Sequence, residues 1–173
     1  MLNGMMKKMV DQAKDFVFNI ADSMGGGADF GSWSPFTGDF NKISNKMGVY
    51  DYLYDLGKQI VNQFKSQYPS LYISNGKRKE SKTKAGTTSD HVYGLGLDLA
   101  RGGISDNSYY QMAKSLQGHP YLKYVIGSDK WSQNGGEFKK FPYGGHMNHL
   151  HLSAKSPAEA KAAKGSFGAA GNV

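Results

Sequence analysis

Apolar residues return every three or four positions through the start of the chain, at Leu2, Met5, Met6, Met9, Val10, Ala13, Phe16, Val17 and Ile20, with Lys7, Lys8, Asp11, Lys14 and Asp15 between them. That period predicts an amphipathic helix over residues 1–24. Its charged side mixes both signs, which favours packing against a partner or the next domain over adsorption to a membrane. Gly25-Gly26-Gly27 ends it, and residues 25–48, rich in Gly, Ser, Asp and Phe without sustained periodicity, read as a linker. The helical period resumes at Tyr50, Leu53, Tyr54, Leu56, Ile60, Val61 and Phe64 and ends before Pro69. Shorter patterns follow: a strand at Leu71-Tyr72-Ile73-Ser74, a turn at Asn75-Gly76, a basic polar loop over 77–84, and a strand with Leu95, Leu97 and Leu99 on one face. A helix is expected over 107–117, a strand at Tyr124-Val125-Ile126, a long loop over 127–143 containing Trp131, and a last strand over 149–153. Residues 157–173 read as a linker-like tail whose first part is a weak helix former. Helices and strands mixed without a βαβ rhythm predict an α+β domain over 49–156, with a small antiparallel sheet and flanking helices.

Composition narrows the picture. The chain has 173 residues, enough for one core plus an appendage. A formal net charge of +7 and a pI near 9.4 favour an anionic partner, whether nucleic acid, a membrane surface or an anionic bacterial wall. There is no cysteine, so any zinc site must be built from His, Asp or Glu. No apolar run approaches the ~20 residues of a membrane span, and the first residues lack the pattern of a signal peptide. Action outside a cell would then depend on another component for delivery.

Three of the five histidines fall within His146-Met147-Asn148-His149-Leu150-His151. Read as a strand, this stretch sends His149 and His151 to one face and Leu150 and Leu152 to the other. The pair can be two metal ligands or one ligand and one proton carrier. Upstream, His91 and Asp98 flank Gly94 and Gly96, and Asp98 shares a strand face with Gly96, opposite Leu97. His91, Asp98 and His151 together offer two nitrogens and one carboxylate oxygen, the open three-ligand set of a catalytic zinc site. The competing reading is a polar cluster of histidines hydrogen-bonded to Asp98. His119, beside Pro120, reads as structural or merely exposed.

Ser89-Asp90-His91-Val92-Tyr93-Gly94-Leu95-Gly96-Leu97-Asp98, followed by His149-Leu150-His151, resembles the superfamily of zinc peptidases that joins D-alanyl-D-alanine carboxypeptidases and L-alanyl-D-glutamate endopeptidases with lysostaphin-type enzymes and the hedgehog fold. The spacing from His91 to Asp98 is similar to the carboxypeptidase branch. With Ile73-Ser74-Asn75-Gly76-Lys77-Arg78, Tyr124-Val125-Ile126, Trp131 and the run from His146 to Ser153, residues 49–155 resemble peptidase domains of tape-measure or tail proteins of phages that infect Gram-positive bacteria. The resemblance implies a hedgehog or carboxypeptidase-like fold and Zn2+ held by His91, Asp98 and His151. It implies that Ser89 supports the ligand loop at the substrate side and that Arg78 binds the scissile carbonyl or its developing oxyanion. Trp131 and Tyr143 would line a substrate groove. Many relatives carry Asp or Glu where Asn148 stands, and an amide is no base. His149 is the expected proton carrier in its place, as murein endopeptidases with His-x-x-His-x-His suggest, with His146 assisting.

The expected function is therefore zinc-dependent hydrolysis of a peptide bond in bacterial peptidoglycan, within a virion and among other phage tail proteins, at the host wall. The alternative is a weak or inactive wall-binding tail component. Nucleic acid is not an expected partner: the basic loop over 77–84 has charge but no interleaved aromatic platform.

Overall fold

Leu97 and Leu99 on one central strand face Leu152 and Leu150 on its neighbour, and all four are fully buried. The computed structural model, which describes residues 33–167, is an α+β fold built around that ladder. The elements run α1 (Asp51–Gln63), β1 (Tyr72–Asn75), a single 3-10 turn (Asp90–Tyr93), β2 (Gly96–Ala100), α2 (Ser108–Ser115), β3 (Leu122–Gly127), β4 (Lys130–Gln133), β5 (Lys139–Lys140), β6 (Leu150–Ala154) and α3 (Pro157–Ala163). One six-stranded sheet has the order β1-β2-β6-β3-β4-β5, and every pairing in it is antiparallel. The expected helix over 1–24 lies outside the described residues. No described helix is long and apolar enough to cross a membrane.

Strand alternation divides the sheet into two faces of different chemistry. Leu97, Leu99, Leu150, Leu152 and Val125 point into the core, where α1 contributes Leu53, Leu56 and Ile60 and α2 contributes Tyr109, Met112 and Ala113. Gly57 lets α1 lie close against the sheet, since a Cβ there would come within 2.6 Å of Leu97 and 3.1 Å of Ile73. Asp98, His151, Tyr124 and Ile126 occupy the opposite face. The apolar pattern thus fixes which side carries the polar groups, because a slip of one residue would exchange the two sets.

Three expectations change. Residues 33–48, read as linker, contribute Trp33 and Phe40 to the core: Phe40 packs on Tyr52 and Tyr121, and the indole of Trp33 donates to the carbonyl of Ser115. These aromatics fill single holes and leave no period to detect. The long loop over 127–143 contains a hairpin, β3 to β4, closed by Ser128 and Asp129 at φ 53 and 58, a further turn at Asn134-Gly135, and the short strand β5. Two consecutive residues with positive φ match the twist of paired strands. The tail begins with α3, whose Ser156 and Glu159 form a reciprocal cap and whose Ala160 is buried, and it brings Phe167 into the core.

His119 is structural. It is buried against Trp33, Tyr121 and Phe167, and its Nδ1 accepts from the backbone N–H of Tyr121 at 3.1 Å. Burial, aided by Lys155, lowers its pKa from 6.5 to about 3. The unfolded chain therefore binds a proton in that window that the folded chain refuses, so stability falls as pH drops from 6.5 toward 3. His119→Phe should flatten the decline of unfolding free energy, measured by urea titration between these limits, by up to about 1.4 kcal/mol per pH unit. Identical slopes in parent and variant would show that His119 does not refuse the proton.

Candidate metal centre

The register of β2 against β6 sets Asp98 directly opposite His151 on the polar face. Nδ1 of His151 lies 2.8 Å from Oδ1 of Asp98. His91 arrives from the 3-10 turn above β2, and its Nε2 is 3.4 Å from the same oxygen. The three residues are buried and their candidate ligand atoms all fall within 4.8 Å of one another, so the group is able to hold a metal ion.

Glycine makes room for this approach. A Cβ at Gly96 would stand 2.8 Å from the backbone nitrogen of His91 and 2.9 Å from its ring. Ser89 caps the turn by accepting from the backbone N–H of His91, and Gly94 leaves it at φ 73, a conformation glycine adopts without strain. Asp90 ties the turn down from the other side: its carboxylate accepts from Lys123, Tyr124 and Ser153, all on β3 or β6. The carbonyl of Gly76, just past β1, accepts from Nδ1 of His91 at 2.7 Å. That bond holds the proton on Nδ1 and leaves Nε2 facing the cluster, the arrangement metal-ligating histidines commonly have.

Burial alone would raise the pKa of Asp98, but hydrogen bonds from His151 and His91 and their positive potential hold it far below the usual carboxylate range. Arg78 adds an ion pair, Nη2 to Oδ2 at 3.2 Å, while its own side chain stays 38% exposed. Each oxygen of Asp98 thus has a separate job: Oδ1 faces the histidines and Oδ2 faces the arginine.

The cluster forms the floor of an open pocket of about 250 Å³. One wall is Arg78 and the loop from Ser81 to Lys84; the other is Phe141, Tyr143, His146 and His149. Lys84 spans the gap, donating to the carbonyl of Tyr143 at 3.0 Å. His149 precedes β6 by one residue and points its Nε2 at Oδ1 of Asp98 from 3.8 Å. Its Nδ1 donates to Oδ1 of Asn148 at 2.8 Å, so the amide fixes the ring with Nε2 toward the floor. Burial lowers the pKa of His149, an effect that Asp98 opposes and that His151, His91 and Arg78 reinforce. His146 is lowered to about 4 by burial and by its neighbours His151 and His149. Asp129, at the β3–β4 turn, holds the backbone of His146 through its N–H at 2.7 Å.

Most residues singled out in the sequence meet here. His91, Asp98, His151, His149, His146, Arg78, Ser89 and Tyr143 all line the pocket, although Ser89 is engaged as the cap of the turn. Trp131 does not reach the pocket. It is on the correct face, but β3 separates its strand from β6, so it backs the pocket through Tyr124 and Phe141. Sequence reasoning missed the Gly76 carbonyl, the anchoring by Asp90 and the orienting role of Asn148. The first is a backbone atom with no residue-type signal, whereas the other two sit beside histidines already under suspicion. Compared with protein-family models, curated proteins and solved structures, the chain returned no match.

Gly96→Ala should weaken binding of a divalent transition metal by about tenfold or more, because displacing His91 acts like the loss of an orienting partner. Competition against a chromophoric chelator measures this, with the far-ultraviolet spectrum checking the fold. Unchanged affinity would remove His91 from the ligand set.

Proposed function

We propose that this chain is a zinc-dependent peptidase that hydrolyses a peptide bond of bacterial peptidoglycan, with the hedgehog or D-alanyl-D-alanine carboxypeptidase type of domain that its motifs resemble. The observation that carries the reading is the convergence of His91, Asp98 and His151 on one point at the floor of an open pocket, with a third histidine, His149, aimed at the same carboxylate oxygen. Two nitrogens and one carboxylate oxygen suit zinc, and the open side toward the pocket suits catalysis better than a purely structural ion. Bound there, zinc supplies a Lewis acid that acidifies water and polarises a carbonyl.

The chain's own residues divide the remaining work. Nε2 of His149 takes a proton from the attacking water and returns it to the leaving amine, with Asn148 keeping the other ring nitrogen protonated. Asn148 thus serves the base rather than replacing it. Arg78, fixed to Asp98 by one nitrogen and partly exposed, turns its remaining N–H groups to the carbonyl oxygen as negative charge develops. His146 borders the same space, Tyr143 and Phe141 supply an apolar wall, and Lys84 closes one end. The setting implied by the resemblance is a phage tail, a virion location in which the chain meets other tail proteins and then the host wall. The net positive charge suits that anionic surface.

His149→Ala should leave metal affinity intact and lower the release of new amino groups from purified walls by roughly 10²–10⁴-fold. Mass spectrometry of the fragments then names the bond. Wall cleavage undiminished in the variant would overturn the role of His149, and no cleavage by the parent would leave a wall-binding tail component as the better reading.

A further inference from the structure

On the apolar side of the sheet, away from the metal cluster, a groove of about 430 Å³ runs between α1 and the edge strand β1. Tyr54 and Lys58 stand one turn apart on α1, Lys65 follows just past the end of the helix, and Lys46, Tyr68 and Tyr72 complete the groove. The lining contains three lysines and no carboxylate. Like charges gathered in a concave surface raise the local concentration of an anion.

We propose that this groove binds a linear chain of phosphodiester-linked small polyols, independently of the metal centre. Three observations select that chemistry. The lining cations are all lysine, compact and rotatable ammonium groups that bind phosphate oxygens as point charges without a fixed bidentate geometry. Lys46 precedes α1, Lys58 lies on it and Lys65 follows its end, so the cations come from separate positions around the groove, an arrangement suited to successive charges on one chain rather than to one isolated phosphate. The tyrosines argue against nucleic acid. Lys58 lies over the ring of Tyr54 at 5.3 Å, and the guanidinium of Arg101 lies over the ring of Tyr68 at 4.5 Å. Two of the three rings therefore carry a cation on one face, and binding of single-stranded nucleic acid depends on such faces for its bases. A polyol phosphate has no base to stack and uses the ammonium groups and the tyrosine hydroxyls.

Calorimetric titration of the full chain with poly(glycerol phosphate), and with an oligothymidylate of equal charge, tests this without calling on any activity. The expected result is binding of poly(glycerol phosphate) that weakens with salt and exceeds binding of the oligothymidylate. Lys46→Ala, Lys58→Ala and Lys65→Ala combined should weaken it about tenfold or more and reduce the slope of log affinity against log salt by about 2. Lys79→Ala, Lys139→Ala and Lys140→Ala combined, three exposed lysines elsewhere, should change affinity by less than about twofold. The proposal is overturned by an absence of binding by the parent, by equal losses in the two triple variants, or by tighter binding of the oligothymidylate.

Discussion

A carboxylate taken out of water destabilises a fold unless other groups replace its solvation. Asp98 is such a group, 4% exposed on a central strand. The architecture around it can be read as the means of keeping it charged. The β2–β6 register supplies His151, the 3-10 turn supplies His91, and the segment after β1 supplies Arg78. The two histidines reach one oxygen of the carboxylate and the arginine reaches the other. Positive groups concentrated on a buried anion also make a place where a cation can substitute for protons, so the requirement of folding and the capacity for metal are the same arrangement.

This dependence extends outward through backbone rather than through long side chains. Gly96 has no side chain because His91 occupies the space, and the carbonyl of Gly76 orients that histidine. Asp90 then fastens the turn to β6, which carries His151, and to its neighbour β3. Ligands from three separate segments are thereby held relative to one rigid sheet. The pocket walls, in contrast, come from loops, where the link between Lys84 and Tyr143 is exposed. The floor thus rests on paired strands, and the rim on exposed loop contacts.

Period two made β2 and β6 legible, and with them the convergence of Asp98 and His151, because a leucine ladder admits only one register. His91 was legible from its spacing to the glycines. The hairpin of β3 and β4 was missed although Asn134-Gly135 is a strong turn signal in its vicinity, since Ser128-Asp129 at the tight turn itself is not a common positive-φ pair. Trp33 and Phe40 were missed for a different reason: a residue that fills one hole in a core leaves no periodic trace. Trp131, expected within a loop and at the groove only from the resemblance, lies on β4, one strand beyond β3, and meets the pocket only through Tyr124 and Phe141. Asn148 was read by residue type as a missing base. Its position beside Nδ1 of His149 assigns it an orienting task that only the folded arrangement reveals.

In the proposed function, the His91, Asp98 and His151 cluster works through a bound metal ion on wall peptides. The most direct measurement is the release of new amino groups from purified bacterial walls by protein stripped with a chelator, before and after one equivalent of zinc is restored. The account predicts release near background in the stripped protein and recovery on adding zinc. Release that is undiminished after stripping would contradict it.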